Sequence, residues 1–351
     1  IKKSVSFYNT GGDYAVFALS YKGPSGSEKV KTLSHYYYQT GSQNELMDKV
    51  FQYTVVDSDG DGVINEADAD VSYSLRTVNI SDDIKRSFAY YREDGEKTLF
   101  SVEYKGERAG SETEAYLTTY HYRSDGRTLH YTNQYRIVNS ADVLDINDPA
   151  LRRVSIVDDL LLRRTYYHGE EENEFADYTI NYVNGTAVTR AEYYYGDGTP
   201  RRPGEAALAI EALRITVTYR LDSAGAKMGI TQKTYHLGER GEEYIEYSYN
   251  FHHGTEIASR SDYEYHADME RIKKIRTYDV KFQTGTELDP IHGNQKLIST
   301  LLLVSTATYH YKATNENILE KTITDGTSYV ADDPTRISST YTQATLYNIY
   351  D

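Results

Sequence analysis

The chain has 351 residues, with 38 Lys plus Arg against 53 Asp plus Glu, and the formal charge of -15 disfavours nucleic acid and anionic membranes as partners while favouring cations. It contains no cysteine, which removes disulfides, thiolate metal sites and cysteine nucleophiles. Tyrosine is the outlier, 37 residues beside 8 Phe and no Trp, and such rings suit pleated, half-buried surfaces, so tyrosine ladders in an all-β fold are expected.

The sequence opens at Ile1 with neither an initiator Met nor a charged-then-apolar leader, and reads as a processed protein or a segment of a longer one, with a secretion signal expected outside it. The longest purely apolar runs, Tyr14 to Leu19 and Ala206 to Ile210, fall far short of the roughly 20 residues that span a bilayer as a helix, and no membrane span is expected.

In chain order, "KKSVSFYN" (Lys2 to Asn9) predicts a first strand ahead of a Gly-Gly turn, and "HYYYQTGSQNELMDKVFQY" (His35 to Tyr53) predicts a hairpin. Next comes "DSDGDGVINEAD", Asp57 to Asp68, which matches the twelve-residue loop that binds calcium between two helices in EF-hands. Oxygen ligands at positions one, three, five, seven, nine and twelve fall on Asp57, Asp59, Asp61, the Val63 carbonyl, Asn65 and Asp68, with Gly62 at the sharp turn and Ile64 as the apolar anchor. Asp68 is shorter than the usual Glu at the last position, as in the loops of dockerins and other bacterial extracellular calcium modules. No second copy follows, so the expectation is one Ca²⁺ acting as a staple within an insertion at 57–70.

Two segments then align, "AYYREDGEKTLFSVEY" (Ala89 to Tyr104) and "YHYRSDGRTLHYTNQY" (Tyr120 to Tyr135), each a tyrosine-bearing strand, an Asp-Gly turn and a strand opened by an apolar residue. Further turn signals lie at "NG" (Asn184 and Gly185) and "DSAG" (Asp222 to Gly225). Between Tyr195 and Ile215, "GDGTPRRPG" (Gly196 to Gly204) is either a long surface loop or a break between two halves near 196–206. "GEAALAIEALR" (Gly204 to Arg214) predicts one short helix, with Leu208 and Ala212 at i, i+4 spacing. Ile215, Val217, Tyr219 and Leu221 alternate with Thr216, Thr218 and Arg220, the pattern of a half-buried strand; Ile245 to Phe251 repeats it. "YEYHADMERIKKIRTY" (Tyr263 to Tyr278) and "TYHYKATNENILEKTI" (Thr308 to Ile323) are looser copies of the hairpin unit. The terminal "STYTQATLYNIYD" (Ser339 to Asp351) reads as a strand with apolar residues on both faces, which predicts cover on each side. All six prolines are expected in connections.

Together these predict a single antiparallel hairpin array, an extended sheet or sandwich built from units of about 20 residues that bury their faces by stacking on neighbours. At the Tyr-x-Tyr, Asp-Gly, Leu positions, best seen in "YHYRSDGRTL" (Tyr120 to Leu129), the sequence resembles the YD, or RHS, repeats of bacterial surface and toxin proteins, although Arg123 stands where those repeats carry Asp. The resemblance implies extracellular bacterial β-sheet building material with no enzymatic activity in the repeats.

Several of the ten histidines recur at one place in the strand frame, as His121 and His310 in "YHY", which points to packing. The sequons at Asn79 and Asn184 are near chance expectation. No nucleophile elbow, zinc-protease motif, phosphate loop or dinucleotide fingerprint occurs, while the 53 acids leave open a pair of glycosidase carboxylates. The leading expectation is a non-enzymatic structural segment of an extracellular fibre, sheath or surface layer at the cell surface, stabilised by Ca²⁺ and pairing with copies of itself or similar modules. The alternative is a surface adhesin module whose tyrosines stack on polysaccharide.

Overall fold

The computed structural model describes residues 4–9, 13–22, 29–39, 46–56, 69, 71–72, 77–78, 80, 83–92, 94–106, 108–137, 161–197, 200–203, 211–254, 256–267, 271–279, 286–288, 295–296, 302–311, 319–330 and 333–346. Among them are 23 strands, as the tyrosine-rich alternation predicts, and no helix. Nineteen strands form extended antiparallel sheet, and the other four make two short ribbons. No helix of the described residues is long and apolar enough to cross a membrane. The chain divides into two compact units, residues 1–165 with 182–185 and residues 166–181 with 186–351, so the 196–206 connection lies inside the second.

The first unit holds β1 (Ser4–Tyr8), β2 (Ala15–Lys22), β3 (Lys29–Tyr38), β4 (Met47–Thr54), the ribbon β5 (Val71–Ser72) and β6 (Thr77–Val78), β7 (Ile84–Tyr91), β8 (Thr98–Lys105), β9 (Thr113–Tyr122) and β10 (Leu129–Arg136). Leaving the ribbon aside, each strand from β1 to β10 pairs with the next along the chain. One cross-strand row runs Phe7, Phe17, His35, Phe51, Phe88, Val102, Leu117, Tyr135. The neighbouring row, displaced by one residue, runs Ser6, Ala18, Ser34, Gln52, Ser87, Glu103, Tyr116, Arg136. Successive side chains point to opposite faces, so the sheet has one aromatic face and one wet face. Phe17, Phe88 and Val102 are buried at 0%, 1% and 0% exposure, whereas Gln52, Glu103 and Arg136 are exposed.

The strand β11 (Leu161–His168) crosses the division between the units. The second unit continues with β12 (Phe175–Val183), β13 (Thr186–Tyr195), β14 (Leu213–Leu221), β15 (Lys227–Leu237), β16 (Tyr244–Gly254), β17 (Glu256–Tyr265), β18 (Ile272–Asp279), the ribbon β19 (Thr286–Leu288) and β20 (Gln295–Lys296), β21 (Leu302–Tyr311), β22 (Leu319–Val330) and β23 (Asp333–Leu346). From β13 to β21 one face carries the row Tyr193, Thr216, Thr234, Ser248, Ser261, Thr277, Ser305. The next row, on the other face, is Glu192, Val217, Lys233, Tyr249, Arg260, Tyr278, Leu303. Aromatic rings and ions share that second face.

Three expectations are corrected. Within the predicted helix Gly204 to Arg214, residues 204–210 lie outside the described residues, Glu211 and Ala212 are irregular, and Leu213 and Arg214 open β14. Period-two pairing wins there because Leu213 pairs with Tyr195 and the Ala212 carbonyl accepts from the Gly196 amide at 3.1 Å. Pro334 lies inside a strand, as the second residue of β23. Its missing donor is tolerated because it falls at the opening of the strand. The terminal strand is not covered on each side: residues 339–345 are all exposed, and residues 347–351 lie outside the described residues.

Candidate functional site

The six predicted calcium ligands, Asp57, Asp59, Asp61, Val63, Asn65 and Asp68, lie outside the described residues. Both ends of their loop are anchored. Val55 (1% exposed) and Ala69 (0%) sit in one core cluster with Phe17, Leu19 and Leu33, and Ile80 packs against it. The Val55 amide donates to the Lys31 carbonyl (3.4 Å), and the Val56 amide donates to Oδ1 of the buried Asp83 (3.3 Å). The insertion thus leaves and re-enters the first unit at fixed points. Among the described residues no group of three or more His, Asp and Glu side chains is arranged to hold a metal.

What the recurring tyrosines do is visible at the hairpin ends. Tyr38, Tyr91, Tyr122, Tyr195, Tyr265 and Tyr311 each close a strand and pair with the residue that opens the next: Met47, Thr98, Leu129, Leu213, Ile272 and Leu319. A register shift follows at once in every case, leaving one extra residue on the returning strand (Asp48, Leu99, His130, Arg214, Lys273, Glu320), which is a β-bulge that sharpens the local twist. The tyrosine hydroxyl then reaches back to the opening of the preceding strand. Tyr38 donates to the Ala15 carbonyl (2.8 Å), Tyr122 to Thr98 (2.8 Å), Tyr195 to Ala176 (2.9 Å) and Tyr311 to Ile272 (2.9 Å), while Tyr265 accepts from the Ile245 amide (3.1 Å). Alternate strands of a meander run the same way, so within each unit these latches share one rim. These tyrosine tips are not left to water, because a strand end leaves backbone groups that the hydroxyl can satisfy. Replacing Tyr122 by Phe keeps the ring and removes one bond to backbone, and should cost about 1 kcal/mol in chemical denaturation. A loss below a few tenths would show that water replaces the hydroxyl at no cost.

The Asp-Gly turns between latched strands also repeat. Asp125 Oδ1 accepts from the Arg127 and Thr128 amides, Asp94 Oδ1 from Glu96, and Gly95 and Gly126 take φ of 69° and 72°. The Thr128 hydroxyl, followed by the two amides, holds the Asp125 carboxyl down at about 2. This is the geometry beneath "EDGE" and "RSDG" in the sequence.

The densest charge cluster lies in the second unit. Glu192, 2% exposed on β13, faces Arg190 two residues before it (Nη2 to Oε1, 2.9 Å), Arg202 from the connection after β13 (Nη1 to Oε2, 3.1 Å) and Lys227 at the start of β15, which contacts Oε1. Arg202 also binds Asp177 of β12 (Nε to Oδ1, 3.0 Å), which ties the proline-bearing connection to the sheet. The cations lie against tyrosine rings, Arg190 3.8 Å from the centroid of Tyr178 and Lys227 4.3 Å from that of Tyr219. Burial pushes the Glu192 carboxyl up, but Lys227, Arg202 and Arg190 outweigh it and hold the group below its ordinary range. An Arg and a Glu two apart on the aromatic face of "TRAEYYY" were a legible sign of a buried pair; the arrival of Arg202 and Lys227 was not.

In the first unit, Lys85 donates to the Tyr104 hydroxyl (3.1 Å) with its Nζ 4.2 and 4.7 Å from the Tyr104 and Phe51 ring centroids. Burial lowers its pKa, against the pull of Glu114 and Glu112. These groups can hold the sheet together, and each is engaged by its neighbours.

No known family profile matches the chain, and no curated protein sequence does. Among solved structures, a porin-like protein from Bacteroides uniformis aligns over 90% of this chain and 97% of its own at 8% identity, with a TM-score of 0.25. A likeness at that level carries no functional weight.

Proposed function

We propose that the chain is a non-enzymatic structural segment of a bacterial cell exterior, part of a fibre, sheath or surface layer, with one calcium ion stapling the insertion at 57–70. The observation that carries this is the use made of tyrosine. Latch tyrosines recur from β3 to β21 with their hydroxyls spent on neighbouring backbone, rather than gathering in one cleft. Several ring faces that could stack on a sugar are occupied: Arg190 covers Tyr178, Arg260 lies 4.4 Å from the centroid of Tyr247, and Tyr235 stacks on Tyr247 at 4.5 Å. This weighs against the polysaccharide-binding alternative.

Immunogold labelling of thin sections should place the chain in an extracellular layer or fibre, and a glycan array in millimolar calcium should show no saturable binding tighter than millimolar. Label confined to the cytoplasm, or tight glycan binding lost on changing one tyrosine cluster to alanine, would overturn the proposal. For the staple, hard oxygen ligands at this spacing suit a cation that takes roughly 6 to 8 of them, and anchors at Val55 and Ala69 hold the loop ends. Calcium titration should therefore raise the melting temperature, and Asp59→Ala with Asp61→Ala should abolish that rise. An equal rise in the double variant removes calcium from the loop.

A further inference from the structure

We infer that Tyr14 and Tyr38 form a site of oxidative cross-linking, at which a peroxide-driven oxidant joins the two rings into a dityrosine. Composition decides where such an oxidant acts. Cysteine and tryptophan are absent and methionine numbers 3, so the side chains that compete for oxidising equivalents are scarce, while 37 tyrosines are present. A ring-to-ring bond is then the covalent tie between strands that this chain can make in place of a disulfide.

Geometry singles out the pair. The ring centroids of Tyr14 and Tyr38 are 4.5 Å apart, with the planes inclined at 53°. Two phenols joined ortho to ortho have their centres separated by one carbon-carbon bond and two ring radii, with the planes twisted to keep the hydroxyls apart. The pair already stands near that spacing and tilt. Tyr166 with Tyr178 and Tyr235 with Tyr247 come equally close, each at 4.5 Å, but their planes are inclined by only 23° and 22°. Rings stacked face to face must swing out of the stack before their ortho carbons can meet.

Both partners are held in place. Tyr14 lies just before β2, and its carbonyl accepts from the Asn9 amide (2.9 Å), while Asn9 Oδ1 accepts from the Asp13 amide (2.8 Å). Tyr38 closes β3, and its hydroxyl donates to the Ala15 carbonyl (2.8 Å), one residue from Tyr14. Coupling at an ortho carbon leaves that latch intact. Such positioning makes the pairing of two radicals effectively unimolecular. Both residues are half-buried, which leaves part of each ring within reach of a small oxidant.

In the reaction each phenol loses one electron and its hydroxyl proton to give a phenoxyl radical, and the two radicals pair to form one carbon-carbon bond between ortho carbons. Each of those carbons then releases its hydrogen as a proton, and each oxygen takes a proton back. The net loss of two electrons and two protons reduces one hydrogen peroxide to two waters, through a haem peroxidase as the carrier. The product ties the turn between β1 and β2 to the end of β3, a loop closure that restricts the unfolded chain as a disulfide does.

This inference deepens the extracellular structural role proposed above, and its test is separate. The 351-residue chain, dilute and folded, should develop dityrosine fluorescence with a haem peroxidase and limiting hydrogen peroxide while remaining a single chain on a denaturing gel. Tandem mass spectrometry of the digest should place most of the linkage between Tyr14 and Tyr38, with two hydrogens missing from the joined peptides. Tyr14→Phe, which keeps the ring, should remove most of the signal, whereas Tyr178→Phe and Tyr247→Phe should leave it. Oxidation should also raise the urea midpoint of the native chain and not that of Tyr14→Phe. No dityrosine under conditions that couple free tyrosine, an equal yield of the Tyr14 to Tyr38 link in the urea-unfolded chain, or a signal untouched by Tyr14→Phe overturns the inference. Each of those results leaves the immunogold and glycan outcomes to decide the structural role on their own.

Discussion

Glu192→Ala is expected to destabilise the second unit by about 3–5 kcal/mol, the range for removing one partner from a buried ion cluster. The magnitude follows from what stays behind. Arg190, Arg202 and Lys227 all converge on this one carboxylate, 2% exposed, and only Arg202 has a second carboxylate, Asp177, among the contacts described above. Without Glu192 the sheet face holds crowded positive charge with its counter-ion gone. Glu192→Gln should lose nearly as much, because it keeps the shape and removes the charge. Restoring neutrality with Arg190→Met and Lys227→Met in the Glu192→Leu background should recover a substantial part, since apolar replacement of a whole buried cluster is often near neutral. Urea denaturation of the four proteins decides it: a loss below about 1 kcal/mol for the alanine variant, the value of an exposed pair, would show that solvent already screens the cluster. The carboxyl is held below its ordinary value in the fold. Its contribution is therefore present above the unfolded glutamate pKa and is lost as pH falls through the folded one.

Much of the fold was legible because alternation is a local signal. Ile215 and Val217 were expected on one face opposite Thr216 and Thr218, and they are buried at 1% and 0% exposure beside a row of hydroxyls. The Asp-Gly turns and the "DSAG" turn were legible for the same reason, since Gly95, Gly126 and Gly225 supply the positive φ of 69°, 72° and 82° that these turns require. The recurring tyrosine was visible as a pattern but its purpose was not. A hydroxyl that bonds the Thr98 carbonyl from Tyr122 depends on where a strand 24 residues earlier begins, which no local window contains. The same holds for Glu192, where two of three cations come from other elements. Leu213 and Arg214 failed as helix because local propensity lost to pairing with β13. Ser339 to Thr345 failed as a covered strand because apolar content on both faces reports the capacity for cover, while cover itself depends on a neighbour. The calcium loop remains as the sequence presents it, with its anchors now defined at Val55, Val56 and Ala69.

A second large effect is expected from pH, through His236. It lies on β15, with its Nε2 3.1 Å from the Thr216 hydroxyl of β14, and burial holds its imidazole well below the ordinary 6.5, at about 4. The charged groups facing it oppose one another: Glu243, just before β16, draws the value up, and Arg214, on β14, pushes it down. Arg214 is itself held by the Gly238 carbonyl (2.8 Å) and Asp197, and Glu243 by the Leu213 and Gly241 amides, so neither is free to swing toward a new imidazolium. In the unfolded chain the ring takes a proton near pH 6.5, while in the fold it resists until about pH 4. Between those values the unfolded state binds the extra proton, so stability falls as pH falls across that window and levels off below it. The gap corresponds to about 3 kcal/mol. His236→Asn, which can still bond Thr216 but does not titrate, should flatten the stability profile between pH 6.5 and 4 while leaving the separate, lower-pH loss from Glu192 in place. Chemical denaturation at half-unit steps measures both. If the asparagine variant kept the full slope in the His236 window, the acid sensitivity would belong to another histidine and the assignment to His236 would be wrong.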